Sequence, residues 1–191
     1  MEADRIKWNK RFASEDSFLG TRPSPFLSRE IDRIKLLAPG ARALDIACGE
    51  GRNSVFLAQN GFQVTGLDIS DVGLSKGVKR AEAAGVQVDF KQVNLDGYCL
   101  AETYDLILNF NFLLRSLIPA ELQALAPGGL LLFDTILESP QLLASHNPDY
   151  FLRKGELVRI FEAYPGDILF AEESFSGDMP TARVLFRKST E

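Results

Sequence analysis

Apolar residues are distributed along this chain in two alternating patterns, which predict strands and helices in turn. Short apolar runs are typical of buried strands, and apolar residues that recur every three or four positions are typical of amphipathic helices. The runs predict seven strands, at residues 43–47, 63–67, 86–93, 104–109, 130–134, 168–175 and 183–187. Helices are predicted between them, beginning near Ser28, Arg52, Ile69 and Ile118. This alternation predicts a single α/β domain with a mostly parallel sheet and helices on both faces.

The first predicted strand is joined to its helix by a glycine-containing turn within ARALDIACGEGRNS, residues 41–54. Gly49 permits a tight reversal of the chain, and Gly51 lets a ligand approach the backbone because no Cβ stands in the way. Asp68 ends the next apolar run, where a carboxylate can hold a ribose. The spacing therefore predicts a nucleoside-containing cofactor.

The residues around the turn bear on which nucleoside cofactor binds. A dinucleotide fingerprint has a third glycine where this chain has Ser54. Asp45 puts a negative charge beside the turn, which repels a pyrophosphate and attracts an ammonium or a sulfonium. These features argue against an NAD-dependent oxidoreductase. A non-catalytic nucleoside-binding protein on the same fold stays open as an alternative.

The pattern Asp45-x-x-x-Gly49-x-Gly51 with Asp68 resembles the class I S-adenosylmethionine-dependent methyltransferases. The segment CGEGRNSVFLAQNGF is similar to the tellurite-resistance branch of that family, and LAPGG before the fifth predicted strand is a second match. The resemblance implies a single-domain, doubly wound Rossmann-like fold, with a mostly parallel seven-stranded sheet and an antiparallel final strand. It also implies S-adenosylmethionine as cofactor and S-adenosylhomocysteine as product.

The resemblance further implies roles for individual residues of the cofactor site. Asp45 and the glycine turn are expected to surround the methionine part, and Asp68 to bind both ribose hydroxyls. Either Asn94 or Asp96 is expected to contact the adenine. The predicted cofactor-binding residues are Asp45, Ala47, Cys48, Gly49, Gly51, Asn53, Asp68, Ile69, Asn94, Leu95, Asp96 and Asn109.

Residues 109–112, Asn-Phe-Asn-Phe, follow the fourth predicted strand, at the edge where open α/β sheets bind ligands. We expect a pocket there for something small and partly polar, with one of the two rings belonging to the core. Residues 1–28 resemble the family's amino-terminal arm, and residues 150–157 resemble a segment beside its active site. The substrate-side candidates are Trp8, Phe26, Phe110, Asn111, Phe112, Arg115 and Tyr150.

The domain prediction is one methyltransferase domain over residues 1–191. Its parts are an arm over the cofactor site (1–28), a cofactor-binding half (29–135) and a substrate-side half (136–191). A chain of 191 residues is long enough for one sizeable core. Its net charge of −5 gives no general attraction to nucleic-acid phosphates or anionic lipid, so a small-molecule partner is expected rather than a nucleic acid.

The remaining residue types add few chemical candidates. Cys48 and Cys99 make no metal-ligand spacing, so no metal site is predicted. The amino terminus is charged and no apolar run reaches bilayer length, so a cytoplasmic location without a membrane partner is expected. Monomer and dimer both stay open.

Methyl transfer from a sulfonium is an in-line displacement in which the protein contributes binding and orientation. A dedicated base is needed only if the nucleophile arrives protonated. The sequence assigns no catalytic residue: His146, the single histidine, is a candidate base but is also typical of a solvated loop. We therefore expect a methyltransferase that acts on a small molecule, with a thiol or a tellurium or selenium oxyanion as candidate acceptors.

Overall fold

A computed structural model describes residues 2–14, 16–175 and 179–191 of the chain. Its strands are β1 (Arg42–Ile46), β2 (Gln63–Asp68), β3 (Val88–Gln92), β4 (Tyr104–Phe110), β5 (Leu125–Ile136), β6 (Gly166–Ser174) and β7 (Thr181–Lys188). The α-helices are α1 (Glu2–Phe12), α2 (Pro25–Leu37), α3 (Arg52–Gln59), α4 (Asp71–Ala83), α5 (Ile118–Ala124), α6 (Pro140–Leu143) and α7 (Glu156–Glu162). A 3₁₀ helix spans Pro148–Tyr150.

The seven strands form one sheet in the order β3-β2-β1-β4-β5-β7-β6. The pairs from β3 through β5 are parallel, and β7 is antiparallel to both of its neighbours. The predicted α/β sheet with an antiparallel final strand is thereby confirmed. Strand order reverses between β1 and β4, and open α/β sheets bind ligands in the crevice at the carboxyl ends of strands that meet at such a point.

The central strands β1, β4 and β5 are buried on both faces, as parallel sheets covered by helices are. On one face, Ala43, Leu106 and Leu108 pack with Leu27 of α2 and Leu57 of α3. The opposite face buries a second set, to which α5 and α7 contribute: Leu44, Ile46, Ile107, Leu131, Phe133, Ile118, Leu122, Leu157 and Phe161. The two faces therefore present different surroundings to any polar side chain at the ends of the strands.

Local chemistry explains where the helices beside the crevice begin. α4 begins after Ser70, whose hydroxyl accepts a hydrogen bond from the N–H of Gly73 at 3.0 Å. α3 follows Gly51, which has φ +70°, a conformation that glycine adopts without steric cost. α2 begins at Pro25, earlier than the predicted Ser28, because proline suits the first turn of a helix.

Two boundaries near the end of the chain differ from their predictions or escape description. β5 begins at Leu125, which pairs with Tyr104. The segment 126–129, expected as a turn before the strand, therefore lies inside it, and the register of the β4–β5 pairing shifts after that first pair. The predicted link between the last two strands, 176–181, lies partly outside the described residues. Of the helices described, none is long and apolar enough to cross a membrane.

Candidate active site

Asp68 ties together the loops that follow β1 and β2. One of its carboxylate oxygens accepts the backbone N–H of Gly49 at 2.8 Å, and the other accepts the N–H of Ser70 at 2.8 Å. The side chain is buried, and burial raises its pKa while these hydrogen bonds oppose the shift. Asp68 therefore lies at the crevice and fixes the glycine turn, at the end of β2 as predicted.

Asp45 is a second buried carboxyl beside the same turn. The hydroxyl of Ser54 donates to its Oδ2 at 2.5 Å. The pKa of Asp45 is raised to about 7, mainly by burial and also by the charge of Asp68, while the Ser54 hydrogen bond and the charge of Arg52 oppose the shift. Burial and both carboxylates also raise the pKa of the Cys48 thiol, which makes that cysteine a poor nucleophile.

The turn itself is packed from below and above. A Cβ on Gly51 would lie 2.7 Å from the ring of Phe90, and a Cβ on Gly49 would lie 3.1 Å from the ring of Phe12. Among the described residues, the non-glycine positions with positive φ are Ala47 (51°) and Asn111 (55°). They follow β1 and β4, so backbone strain is concentrated at the crevice, as is common at functional sites.

The amino-terminal segment lies against the glycine turn through rings and polar contacts. Trp8 stacks on Phe12 with ring centroids 5.6 Å apart, and Phe18 packs edge-on against both rings. The N–H of Phe18 donates to Glu50 at 3.0 Å, and the N–H of Ser24 donates to Asn53 at 2.8 Å. Asn53, a predicted cofactor residue, is thus engaged by this segment.

The turn after β3 holds the two candidates for contact with the adenine. Asn94 accepts the N–H of Asp96 at 3.3 Å, which is an Asx turn, and Leu95 between them is buried. Asp96 is exposed and Asn94 half-buried. Ile69 lies close by, since its carbonyl accepts from Gln92. Either side chain stays available to a ligand.

The structure corrects the assignments of Asn109 and Phe26, and it shows which of the two rings at residues 109–112 belongs to the core. Asn109 is fully buried, and its amide donates to Glu121 of α5 at 2.7 Å instead of facing the crevice. Phe110 and Phe26 belong to the core beneath α2, with ring centroids 6.2 Å apart. Alternate strand residues face opposite layers, which places these side chains in the packed layers. Asn111 is exposed and Phe112 half-buried, so they stay substrate-side candidates.

Arg115 is committed to a structural network, which corrects its assignment to the substrate. Its guanidinium pairs with Glu156 at 2.6 Å and donates to the carbonyls of Asp149 and Phe151 at 2.9 and 2.8 Å. The residue anchors the loop before α7.

Tyr150 on that loop is 52% exposed, and the Lys7 ammonium lies 5.5 Å from its ring and 6.0 Å from that of Trp8. Trp8 and Tyr150 are thus brought together.

Sequence reasoning missed several polar residues at this edge. Asp134 forms an ion pair with Arg183 at 3.2 Å. Burial raises the pKa of Asp134, and Arg183 opposes the shift. Glu121 and Glu50 were also missed. Each lies within an ordinary helix, strand or turn pattern, and its partner comes from a distant segment, so no local signal could have identified it. In the described part of the chain no cluster of His, Cys, Asp or Glu is suited to a metal ion.

Comparisons with known proteins agree with this geometry. A family model described as a methyltransferase domain matches residues 43–129. Over 125 residues the chain is 34% identical to a ubiquinone biosynthesis O-methyltransferase of Nitrosococcus oceani, a match that covers 60% of this chain and 52% of that protein. The chain thus spans about half the length of that curated relative.

Two solved structures share the fold. TehB of Haemophilus influenzae has a TM-score of 0.69 at 21% identity, covering 85% of this chain and 62% of its own. The N-methyltransferase NodS of Bradyrhizobium japonicum, solved with S-adenosyl-L-homocysteine, has a TM-score of 0.73 at 18% identity, covering 96% and 97%. TehB, the tellurite-resistance relative, thus shares the fold of this chain. Residues 43–129 therefore match a methyltransferase domain, and the chain shares the fold of these solved structures.

Proposed function

We propose that this protein transfers a methyl group from S-adenosylmethionine to a small molecule. The observation that carries the proposal is the pair of buried carboxyl groups, Asp45 and Asp68, on either side of the glycine turn. Each disfavours a further negative charge nearby, and the charge of Asp68 raises the pKa of Asp45. A cationic sulfonium relieves this repulsion, whereas a pyrophosphate increases it.

The residues present fit the cofactor in a second respect. Each oxygen of Asp68 accepts one backbone N–H, and a carboxylate oxygen has a further lone pair for a ribose hydroxyl. When bound, the sulfonium supplies an activated methyl group. The chain's own contribution is to hold the ribose through Asp68, to leave Asp96 or Asn94 for the adenine, and to exclude water with the amino-terminal arm.

Calorimetric titration with S-adenosylhomocysteine, S-adenosylmethionine and NAD tests the cofactor assignment. Asp68→Asn is expected to weaken binding of both adenosyl compounds by about 10- to 100-fold, because charge-assisted hydrogen bonds are worth about 1.5 to 3 kcal/mol. The matched control is Asp105→Asn. Asp105 accepts the N–H of Arg42 at 2.9 Å at the opposite edge of the sheet, so this variant should bind as the wild type does.

One result contradicts the cofactor assignment, and another contradicts the methyl transfer. Binding of NAD without the adenosyl compounds favours an oxidoreductase. Binding of the adenosyl compounds with no transfer to any acceptor favours the non-catalytic alternative. Equal affinity of folded Asp68→Asn and wild type removes the ribose assignment alone.

For the acceptor we propose a soft nucleophile, a thiolate or a tellurium or selenium oxyanion, which needs no base. What supports this is the position of His146: the ring is exposed, and its Nδ1 lies 2.8 Å from the Ser145 hydroxyl. A second candidate is a hydroxyl acceptor, because the similar Nitrosococcus protein is named an O-methyltransferase. Asp134, whose pKa is raised by burial, is one described group at this edge suited to take the hydroxyl proton.

A transfer assay distinguishes the two acceptors. Tellurite, selenite and small thiols are compared with small phenols, using wild type and Asp134→Asn. Turnover of thiols that survives in Asp134→Asn supports the soft nucleophile. Turnover of phenols alone, lost in that variant and kept in His146→Ala, supports the hydroxyl acceptor.

A further inference from the structure

A buried polar pair lies beneath the carboxyl end of β4, on the face of the sheet away from α3. Asn109 of β4 and Glu121 of α5 both have an exposed fraction of 0%. The Asn109 amide nitrogen donates to Glu121 Oε1 at 2.7 Å. Two oxygens of the same pair, Asn109 Oδ1 and Glu121 Oε2, are buried without a hydrogen-bond partner among the described residues. Buried polar atoms in native proteins are nearly always paired, so these two atoms require an explanation.

The surroundings of the pair are apolar and uncharged. In register with Asn109 lie Ile46 of β1 and Phe133 of β5, and Ile118 and Leu122 flank Glu121 on α5; all four belong to the core cluster of this face. The titratable members of that cluster and of its partly buried margin are phenols, Tyr98, Tyr104 and Tyr164. Lys188 of β7 brings a cation to α5, and it donates to the carbonyls of Leu122, Gln123 and Leu125 at the carboxyl end of the helix.

A charged carboxylate is costly in such surroundings, since it needs a cation or several donors to balance it. Glu121 has a single donor, the Asn109 amide. Burial raises the pKa of Glu121 to about 7, and the bond from Asn109 opposes the shift only in part. One proton would remove the charge and provide a donor for the remaining acceptor.

We infer that Glu121 carries a proton and that its Oε2–H donates to Asn109 Oδ1, so that acid and amide form a closed ring of two hydrogen bonds that positions the end of β4. The proton leaves no described atom of the pair unsatisfied. Glu121 is then a positioning residue, because it touches Asn109 and not the crevice. Asn109 lies two residues before Asn111. The positive φ of Asn111 turns the chain at the crevice. That this positioning serves the cofactor site rests on the proposed function.

The first test uses the wild-type protein and needs no turnover. Glutamates are labelled with ¹³C at the carboxyl carbon, and their resonances are followed by NMR from pH 4 to pH 9. Labelling glutamate alone separates Glu121 from Asp45, Asp68 and Asp134, whose pKa values burial also raises. One glutamate carboxyl is expected to titrate near neutrality and to be missing from the spectrum of Glu121→Gln. Glu162→Gln, at an exposed position, is the control and should keep it.

The second test asks whether the ring is what matters. A glutamine at 121 can form the same two hydrogen bonds with Asn109 without a proton, whereas a leucine leaves Asn109 unpaired. Glu121→Gln is therefore expected to keep wild-type affinity for S-adenosylhomocysteine within about 2-fold, and Glu121→Leu to lose about 10-fold or more.

The outcomes separate this inference from the proposed function. If every glutamate carboxyl is already ionised at neutral pH, Glu121 is charged and a buried water satisfies the two oxygens. That result overturns the inference. If the neutral carboxyl is found but the wild type binds no adenosyl compound, the proposed function fails and the acid–amide pair stands. If Glu121→Leu binds as tightly as Glu121→Gln, the positioning role is overturned.

Discussion

Asp45 and Glu121 are two buried carboxyl groups on opposite faces of the same sheet, and burial raises the pKa of each to about 7. Asp45 is surrounded by charge: Asp68 raises its pKa and Arg52 lowers it. Glu121 has no such partner, and only burial and the Asn109 amide act on it. Similar pKa values therefore arise from different surroundings.

The difference between the surroundings indicates two functions for the same chemical group. A carboxyl whose charge is balanced by neighbours responds when a charged ligand arrives, because the ligand adds to the balance. A carboxyl in an apolar layer has no charged ligand near it, and burial favours its neutral form. We therefore expect substitutions at Asp45 to alter binding directly, and substitutions at Glu121 to alter stability and to affect binding only through Asn109.

The largest expected effect is on folding. Glu121→Ala should lower the free energy of unfolding by about 3 kcal/mol, because it leaves a cavity and an unpaired buried amide at Asn109. Glu121→Gln should lower it by less than about 1 kcal/mol, since the ring of hydrogen bonds can form again. Urea denaturation at pH 6 measures both values. Equal destabilisation by the two variants would show that the pairing with Asn109 is not what stabilises this layer.

The pH dependence of stability distinguishes the two variants further. The pKa of Glu121 is raised from 4.5 to about 7, so the folded state binds more protons than the unfolded state between these values. Its contribution is fully present below pH 4.5 and is lost as the pH rises towards 7 and beyond. Between pH 5 and pH 8 the wild type should therefore lose about 2 to 3 kcal/mol more than Glu121→Gln, at 1.36 kcal/mol per pKa unit. Parallel curves for the two proteins would contradict this prediction.

Much of the fold and the glycine turn could be predicted from the sequence because their signals are local. Gly49, Gly51 and Asp68 lie in short strand–turn–helix patterns whose geometry follows from neighbouring residues. The errors have a common physical cause. Asn109 near the end of β4 and Arg115 in the loop after it look like ligand-binding residues. Their partners, Glu121 and Glu156, lie on other elements. Periodicity does not reveal which elements pack together.

Phe26 and Phe110 illustrate the same limit for apolar residues. Both stand in segments expected to line the crevice, and both pack in the core, where Phe26 also meets Phe170 of β6 with ring centroids 5.5 Å apart. β6 lies at the far end of the strand order, and nothing near Phe26 in the sequence indicates that contact. The ion pair of Asp134 with Arg183 was missed for the same reason.

A smaller effect is expected in the protonation of Asp45 on binding. A sulfonium beside this group should lower its pKa, so S-adenosylmethionine should release about half a proton at pH 7, where a group with a pKa of about 7 is half protonated. S-adenosylhomocysteine, with a neutral sulfur, should release less. Calorimetry in two buffers of different ionisation enthalpy gives the proton count.

Two variants serve as controls for that measurement. Asp45→Asn keeps an acceptor for Ser54 and should abolish the difference between the two ligands, whereas Glu121→Gln should leave it unchanged. The same proton count for both ligands in the wild type would mean that the sulfonium does not bind near Asp45.

The smallest expected effect concerns the backbone just after β1 and β4, the strands that carry Asp45 and Asn109. Ala47 after β1 has φ 51° and Asn111 after β4 has φ 55°. An L-residue with a Cβ is strained in this region, whereas asparagine tolerates it, so Ala47→Gly should stabilise the protein by about 0.5 to 1 kcal/mol. Asn111→Gly is the matched control and should change stability by less than about 0.5 kcal/mol. Thermal unfolding measures both. A destabilised Ala47→Gly would mean that the methyl group of Ala47 contributes packing beneath the crevice that outweighs the strain of its backbone.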